Sequence, residues 1–122
     1  MTRVRRRGFL LAFLLGGGRG LRAADGLELV MFERLGCPYC RRWLAEIGPI
    51  YARTEEGRAA PLRRVDLVGP RPADLAGVEG LIYTPTFVLV RDGRELGRIT
   101  GYAGDAFFWG QLQELLRHAD DA

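Results

Sequence analysis

At 122 residues the chain has room for one domain, long enough to bury a modest core without disulfide staples. Its formal charge of +3 comes from the first 24 residues, which carry six arginines and no acid, whereas residues 25–122 hold twelve arginines against fifteen acids, a net of −3. A basic surface for nucleic acid belongs on the folded body, so nucleic-acid binding is excluded, and the complete absence of lysine reads as genome composition rather than function.

Residues 1–24 have the layout of an export signal. Arg3 to Arg7 form a charged start, Phe9 to Leu15 form a short apolar run, and glycines followed by Leu21-Arg22-Ala23-Ala24 close the segment. The apolar run is far short of the ~20 residues that a membrane-spanning helix needs, so no stable membrane span is expected. Arg6-Arg7-Gly8-Phe9-Leu10-Leu11 resembles the twin-arginine export consensus, with Arg5 where Ser or Thr is usual. Cleavage after Ala24 would leave Arg22 where a small residue is preferred, so the cleavage site is poor. The competing readings are a basic arm of a cytoplasmic protein and an uncleaved membrane tether. Export is the expectation, with a leader over 1–24 and one folded domain over 25–122.

Leu27 to Phe32 is nearly continuous in apolar residues, as a strand covered on both faces would be. From Pro38 onward, Cys40, Trp43, Leu44, Ile47, Ile50 and Tyr51 recur at helical spacing, with Arg41, Arg42, Glu46 and Arg53 on or near the other side. Gly48-Pro49 predicts a kink or break in that helix. Thr54 to Ala60 is polar and reads as a loop. Pro61 to Leu67 reads as a second strand whose mixed character suits a sheet edge, parallel to the first because a helix connects them. Gly69 to Gly80, punctuated by Pro70, Pro72 and Gly77, predicts one short helix around Ala73–Ala76. Phe87 to Val90 is the third strand, and Asp92-Gly93 turns it into an antiparallel fourth, Glu95 to Thr100. Asp105 can cap a last helix with the stripe Phe108, Trp109, Leu112, Leu115 and Leu116. The order is β-α-β-α-β-β-α, with no internal repeat.

The only two cysteines stand in Gly36-Cys37-Pro38-Tyr39-Cys40, between the first strand and the first helix. Amide N–H groups and the positive end of a helix dipole favour a thiolate at Cys37. One turn on, Cys40 is placed to attack a mixed disulfide. Pro38 suits the first helical position, where its missing N–H costs nothing. Metal ligation is the rival chemistry, but zinc wants four ligands and only His118 remains, near the far end. A purely structural disulfide closing so short a loop would constrain the unfolded chain little. Dithiol redox chemistry is therefore the reading. Arg42 pairs with Glu46 at i, i+4, and Arg41 is left open between solvated residue and thiolate stabiliser. Trp43, Phe107, Phe108 and Trp109 read as packing, and His118 as a residue favoured by the C-terminal end of a helix dipole.

Three features resemble the thioredoxin-like superfamily: the Cys37–Cys40 motif at a strand–helix junction, Tyr83-Thr84-Pro85-Thr86-Phe87 opening the third strand, and Gly97-Arg98-Ile99-Thr100-Gly101-Tyr102 leading into the last helix. The resemblance implies the minimal α/β thioredoxin-like fold, a four-stranded mixed sheet with helices on both faces. It also implies that Thr84-Pro85 is the cis-proline loop facing the cysteines, with the Thr84 backbone free to pair with an extended substrate. On Gly36 to Trp43, Glu46 to Tyr51 and Gly101 to Gly110, the chain more narrowly resembles the small periplasmic proteins of bacterial sulfur-oxidation (Sox) gene clusters, the SoxS type. One departure stands out: thioredoxins proper carry a buried Asp and a Trp where this chain has Met31 and Gly36. Glu33 lies on the same segment, with nothing to show that it substitutes.

The resemblance implies a periplasmic protein thiol–disulfide oxidoreductase, working in the reductive direction. Cys37 and Cys40 would be its catalytic pair, Pro38 and Tyr39 the motif between them, and Thr84 and Pro85 the substrate-binding loop. Its substrate would be a protein disulfide or thiol, such as a cysteine-bearing sulfur-carrier protein. No nicotinamide or flavin signature is evident, so no cofactor is expected, and electrons must come from a membrane or periplasmic thiol donor. Two rivals stay open. One is a glutathione-dependent, glutaredoxin-like enzyme, since Cys-Pro-Tyr-Cys is also the glutaredoxin motif, although glutaredoxins usually have Thr-Val-Pro in the proline loop. The other is a non-catalytic redox-responsive module or metallochaperone.

Overall fold

The computed structural model describes residues 26–121, and the leader expected over 1–24, with its export route and cleavage point, lies outside the described residues. Four strands, β1 (Leu27–Glu33), β2 (Leu62–Asp66), β3 (Thr86–Arg91) and β4 (Arg94–Thr100), form one sheet in the order β2-β1-β3-β4. β2 runs parallel to β1, and the other pairs are antiparallel. The mixed edge sequence of β2 and the charged one of β4 thus flank two almost wholly buried strands.

The two-residue period of a strand sorts these central side chains into two cores. Leu27, Leu29 and Met31 of β1 join Phe87, Leu89 and Ile99 on one face. Val30 and Phe32 join Val65, Val88 and Val90 on the other. The first face is covered by α1 (Pro38–Glu46), α2 (Gly48–Tyr51), α3 (Glu55–Ala59) and α4 (Asp105–Asp121), through Trp43, Ile47, Tyr51, Phe108 and Leu112. The second is covered by one 3-10 turn, Ala73–Leu75, and the coil after it, through Leu75, Val78 and Leu81. Helical cover on both faces is present, but on the second face it is a single tight turn.

The expected break at Gly48-Pro49 separates α1 from α2, with Ile47 between them and still buried. Thr54 to Ala60 is a correction, because a helix stands where a loop was expected. Thr54 Oγ1 accepts from the Gly57 N–H at 2.9 Å, and Glu55 and Glu56 in the first turn and Arg58 in the last complement the helix dipole. Gly57 also allows close packing, since a Cβ there would fall 1.8 Å from the Tyr51 carbonyl oxygen. At the β3–β4 hairpin Asp92 and Gly93 take φ of 52° and 83°, the left-handed pair that a tight two-residue turn requires. A bulge follows, with Leu89 opposite Gly97 and Val90 opposite Glu95, and Leu96 packs onto the first core.

This topology gathers one end of the sheet. The chain leaving β1 enters α1 there, β3 begins there, and β4 ends there, with Phe32 opposite Thr86 and Thr86 opposite Thr100. The loops 34–37, 82–85 and 101–104 are therefore neighbours.

Candidate functional site

Cys37 occupies the N-cap of α1 with extended backbone, and Pro38 takes the first helical position. Its sulfur accepts the Cys40 amide N–H at 3.1 Å, so an unpaired donor of the helix start points at the atom that would carry the thiolate. Cys37 and Cys40 are paired as a disulfide with Cα atoms 5.2 Å apart. Cys37 keeps 8% of its surface exposed against 2% for Cys40, so an incoming sulfur meets Cys37 first.

The Thr84–Pro85 peptide bond is cis. The Thr84 carbonyl oxygen lies 3.3 Å from Cys37 Sγ, where it can accept an S–H when the pair is reduced. The Cys37 sulfur thus faces one amide donor on its own helix and one acceptor across the cleft. Two bonds brace this loop: Thr86 Oγ1 donates to the Tyr83 carbonyl at 2.6 Å, and the Gly101 N–H donates to the Pro85 carbonyl at 2.7 Å.

Met31, at the position where thioredoxins proper carry a buried Asp, is fully buried in the first core with Cys40. Glu33 is engaged by Arg64 across the β1–β2 pair, at 2.5 and 3.0 Å from the guanidinium. Arg41 is exposed, and no ion pair holds it among the described residues. Arg42 pairs with Glu46 at 3.1 Å, as its spacing predicted. His118 sits in the last turn of α4, 3.3 Å from the Glu114 carboxylate. Of the aromatic residues read as packing, Trp43 and Phe108 are buried and Trp109 stacks on Tyr51, whereas Phe107 is exposed. Among the described residues no cluster of His, Cys, Asp or Glu could hold a metal ion, and no helix is long and apolar enough to cross a membrane.

Two groupings near the site join residues already named with others that the sequence reading passed over. The first is apolar: Leu35, Tyr39, Ile82 and Tyr83 are largely exposed on the segments flanking the cysteines and the proline. Tyr39 was already named between the cysteines; for Leu35, Ile82 and Tyr83 the signal was large apolar side chains in Gly- and Pro-punctuated loops, outside any strand or helix period. The second is a polar clamp. The Tyr102 hydroxyl donates to Glu46 at 2.5 Å, while the Arg42 guanidinium lies 5.3 Å from the centre of the Tyr102 ring. The clamp ties the loop after β4 to α1, one residue from the Gly101 amide that holds Pro85.

The clamp has a pH signature. Burial first, and then the Glu46 carboxylate, pushes the Tyr102 phenol up to about 12. The Tyr102 hydrogen bond first, and then Arg42, holds the Glu46 carboxyl below its ordinary range. The folded state therefore grips the phenol proton more tightly than the unfolded chain, whose tyrosines titrate near ~10. That stabilisation is complete below pH ~10 and is lost as pH rises from there toward 12. The Glu46 contribution has the opposite sign, present above its unfolded pKa and lost in acid. Denaturant midpoints for wild type and Tyr102→Phe should differ most between pH 5 and 9, draw together from ~10 and meet only near pH ~12. A gap that stays constant to pH 12 would refute the clamp's role.

The family model for the thioredoxin-like domain matches residues 22–116. Among solved structures the chain is similar to the periplasmic thioredoxin SoxS from Paracoccus pantotrophus in its reduced form. The two are 48% identical over 76% of this chain and 98% of that one, with a TM-score of 0.72. A thioredoxin from Fasciola hepatica matches at 23% identity over 74% of this chain and 81% of its own, TM-score 0.55. One from Malassezia sympodialis matches at 22% over 74% and 75%, TM-score 0.54. These last two bear on the fold alone. None of the curated proteins matches the sequence.

Proposed function

The chain belongs to the thioredoxin-like family and is a thiol–disulfide oxidoreductase, and from that premise we propose that it is exported to the periplasm and reduces a cysteine-bearing sulfur-carrier protein there. The observation that carries the reading is the placement of Cys37, whose sulfur accepts the Cys40 amide at 3.1 Å and faces the Thr84 carbonyl at 3.3 Å. The 48% identity to a periplasmic SoxS supports the compartment and the sulfur-oxidation setting.

In the proposed cycle the Cys37 thiolate attacks one sulfur of the substrate disulfide. A Cys37–substrate bond forms, the substrate S–S bond breaks, and the departing thiolate takes a proton from solvent. Cys40 then loses its proton and attacks Cys37 Sγ, releasing the second substrate thiol and leaving the Cys37–Cys40 disulfide. Two electrons have passed to the substrate. A thiol donor protein restores the dithiol. Thr84 and Pro85 seat the substrate segment, and Pro38 and Tyr39 shape the helix start that sets the reactivity of Cys37.

The test is to load a carrier protein's cysteine with a mixed disulfide and add the reduced protein. Release of the free carrier thiol with matching oxidation of Cys37 and Cys40 supports the reading, and no release overturns it. Turnover driven by glutathione alone, at the rate reached with a protein reductant, would support the glutaredoxin-like activity instead.

A further inference from the structure

We propose that Arg98, on β4, is a positioning residue for the loop that faces Cys37; this rests on the reading that Thr84 and Pro85 seat the substrate. The segment from Glu79 to Thr84 has no backbone–backbone hydrogen bond to any described residue. Such a stretch keeps one conformation only if side chains satisfy its polar groups or its own side chains are buried. Few ties are present. Leu81 packs half-buried against the second core, Arg71 Nη1 donates to the Val78 carbonyl at 2.6 Å, and Thr86 holds Tyr83.

Arg98 supplies the rest. Its Nη2 donates to the Glu79 carbonyl at 2.7 Å and its Nη1 to the Gly80 carbonyl at 3.2 Å. The opposite edge of the same guanidinium is held by the Glu95 carboxylate, at 2.6 Å from Nε and 2.7 Å from Nη2. A planar fork with five donors suits this double duty, and a lysine ammonium has neither the geometry nor the reach to both carbonyls. Glu95 orients the fork, and the fork fixes two consecutive carbonyls at the start of the loop. Four residues on, Thr84 stands 3.3 Å from Cys37 Sγ. β4 thereby reaches the cleft from outside it, since Arg98 touches neither cysteine nor proline.

The experiment compares Arg98→Leu, Arg98→Lys and Glu95→Gln with wild type in three readouts: backbone NMR order parameters over residues 79–84, steady-state kinetics with a protein disulfide, and the rate with a small aromatic disulfide. Arg98→Leu should lower the order parameters in 79–84 and raise KM for the protein disulfide about tenfold. It should leave kcat and the small-disulfide rate within about twofold, because Cys37 and its helix are untouched. Arg98→Lys should recover part of the KM, and Glu95→Gln should raise it by about threefold. Unchanged order parameters in 79–84 overturn the proposal, as does a parallel fall of both substrates' rates, which marks general loosening. Lower order parameters with an unchanged KM also overturn it, and remove the substrate from this loop while the Cys37 chemistry stands. If Arg98→Leu does not fold, Glu95→Gln decides on the same readouts.

Discussion

Serine in place of Cys37 will leave a folded protein with no turnover, while serine in place of Cys40 will leave one that captures its partners covalently. A serine hydroxyl in the capping position is not ionised at neutral pH and cannot form a disulfide, so the rate with a protein disulfide should fall by more than about a thousandfold, roughly 4 kcal/mol in barrier height. The Cys40→Ser protein keeps the Cys37 sulfur and its amide donor, because the donor is the backbone N–H of residue 40. It can complete the attack but not the resolution, and the mixed disulfide accumulates. Fold stability should change little in either variant, since a disulfide separated by three residues removes little freedom from the unfolded chain. Mass spectrometry of non-reduced mixtures reads the adducts directly. Equal capture by the two serine variants would show that the roles of the cysteines are not those assigned.

The parts of this site that could be read from sequence are those whose signals are local. Pro38 after Cys37, the apolar run into Phe32 and the Asp92-Gly93 turn each act within a few residues of themselves, and their elements stand where expected. Thr84-Pro85 was legible only as a resemblance, because its meaning lies in a contact with Cys37 across 47 positions of the chain. α3 was missed for a different reason. Its composition is polar, and what makes it a helix is the Thr54 cap with a glycine pressed on the Tyr51 backbone, a packing event and not a periodicity. Arg98 and Tyr102 mark the same boundary. Both stand in a stretch that the resemblance quoted, yet their partners, Glu79, Gly80 and Glu46, lie 19, 18 and 56 positions away. Nothing in the local pattern distinguishes an arginine that braces a loop from one that is solvated.

Trp43→Ala will be the most destabilising single truncation in α1, at about 3–5 kcal/mol in a denaturant titration. The indole is fully buried, with ring centroids 5.1 Å from Phe87, 5.5 Å from Phe108 and 5.9 Å from Tyr51, so it joins α1 to β3, α2 and α4 at once. A nine-residue helix with no acid in its first turn and no base in its last has little stability of its own, and packing must hold it. Among the described residues the indole Nε1 has no hydrogen-bond partner, and a buried donor left in that state costs about 1–3 kcal/mol. Phenylalanine keeps an aromatic ring and removes that orphan donor, so Trp43→Phe should lose less than about 1.5 kcal/mol. A Trp43→Phe loss as large as that of Trp43→Ala would mean that the indole N–H is satisfied after all. The consequence reaches the chemistry, because Trp43 lies one turn beyond Cys40 on the same helix and in the same core. A loosened α1 holds Cys37 at its cap less strictly, and lets Cys40 wander from the sulfur it must attack. Trp43→Ala should therefore lengthen the life of the mixed disulfide more than it slows its formation, and stopped-flow with a protein disulfide separates the two phases.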